Sequence, residues 1–169
     1  MRMSRLTTTF GLTLALLLAA CIPQFSAAGQ GENKRGPKGL EGTWRVQITI
    51  RNCQTGDAVR TFPALSTFAR GGTLNTVTAG SSPARVSADY GVWRHTGGHA
   101  YSAVSDALVF GPAGEWVGTQ KVQRTIEIGQ DPDELTATVS AQFVGPDGNP
   151  IPGFPPTPIC STAVGRRME

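Results

Sequence analysis

The sequence has little of what most catalytic and metal sites are built from. Its imidazoles and thiols number two histidines, His95 and His99, and three cysteines, Cys21, Cys53 and Cys160. They are too few and too far apart for the paired spacings that hold zinc. There is no G-x-S-x-G elbow, no H-E-x-x-H pair and no phosphate-cradling glycine loop. No metal and no cofactor is therefore expected, and no catalytic residue is assigned. Past the first twenty or so residues, no stretch is apolar over the roughly 20 residues that a membrane helix needs. Nor does any stretch repeat its apolar residues at helical spacing.

Charge of one sign is also missing from the part that folds. The formal net charge is +3. Up to Leu40 the charges are Arg2, Arg5, Lys34, Arg35 and Lys38 against Glu32 alone, whereas from Glu41 onward 10 Lys and Arg face 11 Asp and Glu. A near-neutral domain has no basic stripe to follow phosphates, which excludes nucleic acid as a partner.

What is present begins with a leader. Arg2 and Arg5 precede the uncharged apolar run Phe10 to Ala20, the arrangement of a secretory signal. Two processing sites compete. Leu18-Ala19-Ala20-Cys21 resembles a bacterial lipobox, in which Cys21 would be lipidated and would be the protein's only membrane attachment. Ser26-Ala27-Ala28 instead presents the small residues of a signal-peptidase site before Gly29. Both imply export to the periplasm, the envelope or the medium. Residues 1–28 thus read as a signal peptide, 29–40 as a flexible polar spacer and 41–169 as one folded domain.

Within that domain, β-branched and aromatic runs alternate with Gly and Pro turns, the signature of a sandwich or barrel. Eight runs stand out: 44–51, 59–69, 73–79, 90–96, 99–110, 116–128, 135–144 and 159–167. In the first, Trp44, Val46, Ile48 and Ile50 oppose Arg45, Gln47, Thr49 and Arg51, the period-two alternation of a half-buried strand. The turns at Arg70-Gly71-Gly72, Gly97-Gly98 and Gly129 to Pro132 are tight, while the connections at 80–89 and 145–158 are long. In an up-and-down order this gives a closed base and an open mouth. The fold class expected is all-β, an eight-stranded antiparallel up-and-down barrel.

Closing such a sheet makes the first and last strands neighbours. Cys53 follows the first strand and Cys160 begins the last, so the two are expected to form a disulfide at the barrel seam. In an exported domain two such thiols read first as a bridge.

Gly42-Thr43-Trp44 at the start of the first strand resembles the G-x-W signature of lipocalins and their calycin relatives. The resemblance implies a lipocalin-like barrel with Trp44 at its base and an arginine of the last strand across the indole. Arg166 and Arg167 both end that strand, and Arg166 is the one assigned to the ring. The middle lipocalin triplet and the C-terminal helix have no counterpart here. The allene-oxide-cyclase or dirigent type of barrel, which can host cyclisations, is the competing resemblance.

The expected inward faces are lined by small and apolar side chains, among them Val46, Ala103, Ser105, Ala107, Val122, Ala141 and Ala163. Polar or aromatic exceptions are the candidate ligand contacts: Arg124, Gln120, Tyr101, His95 and Trp116. A buried arginine needs a partner: an internal carboxylate, backbone carbonyls or a ligand acid; otherwise Arg124 points out through a bulge or pairs with Asp106 or Glu127. The leading expectation is a binder of a small apolar or amphipathic molecule. A cofactor-free isomerase or cyclase using His95, Tyr101 and Arg124 is the alternative. A third is a filled barrel acting through its Pro-rich loop around Phe154, which also suits a lid over the mouth.

Overall fold

The computed structural model describes residues 39–169, and in it the chain runs as eight strands. They are β1 (Gly42–Arg51), β2 (Ala58–Phe68), β3 (Thr73–Thr78), β4 (Val86–Gly97), β5 (Ala100–Phe110), β6 (Trp116–Ile128), β7 (Glu134–Val144) and β8 (Ile159–Arg167). Each pairs antiparallel with its sequence neighbours, and β1 closes on β8 into an up-and-down barrel. The expected signal peptide, Cys21 and nearly all of the spacer lie outside the described residues.

Alternation is what makes these segments strands. Along β5, Tyr101, Ala103, Ser105, Ala107 and Val109 are buried, while Val104, Asp106 and Leu108 between them are exposed. One face thus fills the barrel and the other meets solvent. Where β4 and β5 cross, the lining residue is Gly91. A Cβ there would stand 1.9 Å from the Val104 carbonyl oxygen and 2.5 Å from Ser105 Cα. Only glycine permits this approach of two backbones.

The seam is registered from Trp44 opposite Arg167 to Arg51 opposite Cys160. Beyond its mouth end, Cys53 and Cys160 form the expected disulfide, with Cα atoms 5.3 Å apart. Such bonds form and persist in oxidising compartments.

The two ends of the barrel are sealed differently. At the base, Trp44 is fully buried and donates from Nε1 to the Leu40 carbonyl at 3.0 Å. Phe68, Trp93 and Tyr101 form an edge-to-face aromatic series beside it. The arginine over Trp44 is Arg167, with its guanidinium carbon 4.2 Å from the ring centroid. This corrects the assignment to Arg166, which points outward to Glu134 at 2.9 Å. The reason is parity: Ser161, Ala163, Gly165 and Arg167 share one face of β8, and Arg166 falls on the other. Arg167 also donates to the carbonyls of Gly39, Glu41 and Pro132 and to the Asp133 carboxylate.

At the mouth, a second cluster of Val86, Ala107, Val109, Phe143 and Ile151 is buried, with Phe154 packed against it. Ile151 and Phe154 belong to the long connection between β7 and β8, so the mouth is covered by a loop. The Phe154 ring lies 4.5 Å from that of Phe143, and Arg85 stands over it at 5.5 Å. Gly118 makes room for Ile151: a Cβ there would lie 2.7 Å from Ile151 Cδ1.

Candidate functional site

Halfway along the barrel an ion pair interrupts the apolar interior. Arg124 projects inward from β6, opposite Ala103 on one side and Val139 on the other. Its Nη2 donates to Asp89 Oδ2 at 2.6 Å, with the two side chains 10% and 9% exposed. Its Nη1 donates to Ser105 Oγ at 2.6 Å. Arg124 therefore has an internal carboxylate as partner, and not Asp106 or Glu127 at the surface.

Asp89 reaches the lumen because β4 starts earlier than its alternation suggests. The β4–β5 register passes from Val86 opposite Val109 to Asp89 opposite Ala107, which leaves one extra residue in β4. That bulge keeps both Val86 and Asp89 buried. Its other oxygen, Oδ1, is buried and accepts no hydrogen bond from any described residue. Next to it in the β3–β4 register stands Thr76, whose hydroxyl is satisfied by Ser66 Oγ at 3.0 Å.

Below this polar belt lies a cavity of about 20 Å³, lined by Arg124, Ser66 and Thr76 together with apolar side chains such as Val46, Phe68 and Ile126. That is room for one water molecule. A wider groove of about 930 Å³, lined by residues such as Pro63, Leu65, Val77, Arg45 and Arg60, is larger but open to solvent. The lumen is the candidate site because, among the described residues, only there does a buried side-chain polar atom lack a partner.

The other expected contacts are distributed differently. Gln120 lies in the inward register row, opposite Ala107 and Phe143, half-buried toward the mouth. Tyr101 is buried at the base, and His95 pairs across from it with ring centroids 5.1 Å apart. His95 is exposed at the rim, with Nε2 2.8 Å from the Gly98 carbonyl oxygen. Trp116 is not a lumen residue: it is 51% exposed. The β5–β6 register passes from Val109 opposite Gly118 to Phe110 opposite Trp116. Val117 is the extra residue, and the bulge turns Trp116 away from the lumen. Sequence reading missed Asp89, placed in a loop, and Ile151, whose loop carries no periodicity. For Asp89 a signal existed, since Asp89, Gly91 and Trp93 continue one face.

Among the described residues no group of three or more His, Cys, Asp or Glu is placed to hold a metal.

This arrangement defines a small protein built on a closed, eight-stranded antiparallel β-barrel with a charged pair inside. No protein-family model matches the chain, and no curated protein matches its sequence. Among solved structures, the crystal structure of Rv2717c from M. tuberculosis is similar over 79% of this chain and 94% of that one, at 15% identity and a TM-score of 0.37. That likeness is too distant to carry inference about function.

Proposed function

We propose that this is an exported carrier that holds a small apolar or amphipathic molecule in its lumen, with the loop over the mouth as its cover. The observation that carries this reading is the Arg124–Asp89 pair with its unpartnered oxygen. Replacing a buried ion pair by apolar side chains of similar volume is often neutral or stabilising. A barrel that needed only to be filled would be about as stable with apolar side chains in their place. The small residues around the pair, and a mouth stoppered by side chains of a loop, support the same reading. Withdrawing Ile151 would open the space between Ala107, Val109 and Phe143. The disulfide and the leader are both consistent with export.

The cavity of about 20 Å³ favours one second reading, a filled barrel that acts through its loops. An isomerase or cyclase built on His95, Tyr101 and Arg124 has less support, because Arg124 engages Asp89 and Ser105 while His95 sits at the rim of the base. Native mass spectrometry of the protein purified from its own host without detergent separates the two. A co-purifying small molecule is expected. A bare polypeptide mass that persists in an Ile151→Ala variant offered apolar probes would overturn the proposal in favour of the filled barrel.

A further inference from the structure

Resting on that lumen reading, we infer that the ligand presents an uncharged hydrogen-bond donor, a hydroxyl or amide N–H, to Asp89, and that carboxylates and ammonium ions are rejected. The inference starts from what the polar belt leaves open. Ser66 and Thr76 hydroxyls are paired with each other at 3.0 Å. Ser105 accepts from Arg124, and Asp89 Oδ2 accepts from Arg124. Each of these groups has at least one partner in the barrel; the buried side-chain atom that has none among the described residues is an acceptor, Asp89 Oδ1. Asp89 as a residue is 7% exposed. An acceptor of this kind calls for a donor, and leaving it without one is costly.

Charge then selects among donors. Arg124 and Asp89 together carry no net charge. A ligand carboxylate would add a second anion beside Asp89 and can donate nothing to it. A ligand ammonium can donate and Asp89 attracts it, but Arg124 already engages that carboxylate, so the ion would bring an unbalanced charge into the barrel and meet the guanidinium's repulsion. A hydroxyl or amide N–H satisfies Oδ1 and leaves the pair neutral. Position sets the orientation. Asp89 is registered with Ala107, which belongs to the mouth cluster with Phe143 and Ile151. The donor therefore lies inward and the apolar part of the ligand extends toward the mouth, into the space Ile151 fills.

The test is isothermal titration calorimetry of the protein, purified from its own host and freed of bound material, with 1-decanol, decanoate and decylammonium at neutral pH. Decanol should bind at least about tenfold more tightly than either ion, as expected when a charge must be buried without a partner. Equal or tighter binding of decanoate or decylammonium would overturn the inference and leave the lumen reading standing. Binding of none of the three would overturn both. Asp89→Asn, its fold checked by near-ultraviolet circular dichroism, serves as the second arm. It leaves Arg124 as the net charge of the belt, so the preference should turn toward decanoate. An unchanged order in that variant would place decanol elsewhere, in the outer groove for example, and refute the inference.

Discussion

Substituting Asp89 by alanine takes one member from a pair of charges 2.6 Å apart, both about nine-tenths buried. The Arg124 guanidinium is then left desolvated without its carboxylate, with only Ser105 to accept from it. Breaking a buried pair in this way costs about 3–5 kcal/mol. A domain of about 130 residues has an unfolding entropy near ~0.27 kcal/mol/K, so the melting temperature should fall by about 11–18 °C. Arg124→Met should also destabilise, because it strands the carboxylate. The double variant, Asp89→Ala with Arg124→Met, should return to within about 1 kcal/mol of the parent, since neither charge is then buried. Urea unfolding followed by far-ultraviolet circular dichroism, with thermal melts in parallel, measures all four corners of the cycle. The buried-pair argument fails if Asp89→Ala costs less than about 1 kcal/mol, or if the double variant loses the sum of the two single losses. The restored double variant should still lose its discrimination between decanol and decanoate, which separates the pair's role in recognition from its role in folding.

Other consequences of the geometry can be checked singly. Arg167→Ala removes the guanidinium from Trp44 and from three carbonyls and a carboxylate, and should cost about 2–4 kcal/mol; Arg166→Ala, in an exposed pair, should cost less than about 1 kcal/mol. Equal losses in chemical denaturation would refute the assignment of the base. Replacing both Cys53 and Cys160 by alanine opens a cross-link spanning 107 residues, with an expected loss of up to about 4–5 kcal/mol and no loss of β-sheet signal; a barrel that unfolds outright would show the seam ladder too weak to close alone. Gly118→Ala would put a Cβ against the Val144 carbonyl oxygen as well as Ile151 Cδ1. It should therefore raise amide exchange at the mouth end of β6 and β7 and in the 145–158 loop while β1 and β8 stay protected; uniform exchange throughout would contradict it. Asp147 has its carboxyl held below the usual carboxylate range, first by the Asn149 side-chain amide and then by its backbone N–H. Because the folded value is the lower one, its contribution to the turn is present above the ordinary carboxylate pKa and lost as pH falls through the folded value. In a carbon-detected NMR titration Asn149→Ala should move the Asp147 midpoint upward, and an unmoved midpoint would be wrong for this contact.

The strands were legible because each carries its own period-two pattern, and observed ends fall within a residue or two of the expected ones for seven of the eight. The exception is β4, which starts at Val86 where alternation alone suggested Tyr90. A bulge interrupts the pattern between Val86 and Asp89, and the missing residues include the partner of Arg124. The same physics misplaced Trp116, since one unpaired residue at Val117 changes which way every side chain beyond it points. Arg166 was a different kind of error. No bulge intervenes in β8, and counting back along Arg167, Gly165, Ala163 and Ser161 was enough to choose the correct arginine. Ile151 was beyond reach: it lies in an irregular loop, and what buries it is the vacant seat at Gly118, brought alongside only by the fold.

The clasp at the base has a practical corollary for rearranging the chain. Met168 N donates to the Thr43 carbonyl at 2.8 Å, and Arg167 reaches past it to Gly39 at 2.7 Å. The first and last described residues therefore leave the barrel side by side, at the end opposite the loop-covered mouth. A short linker from Glu169 to Gly39 would join them without crossing the lumen, and new termini cut in the exposed 112–115 turn would yield a circular permutant with every strand pairing intact. By the same token, a reporter fused after Glu169 would hang from the floor of the barrel and leave the entrance clear.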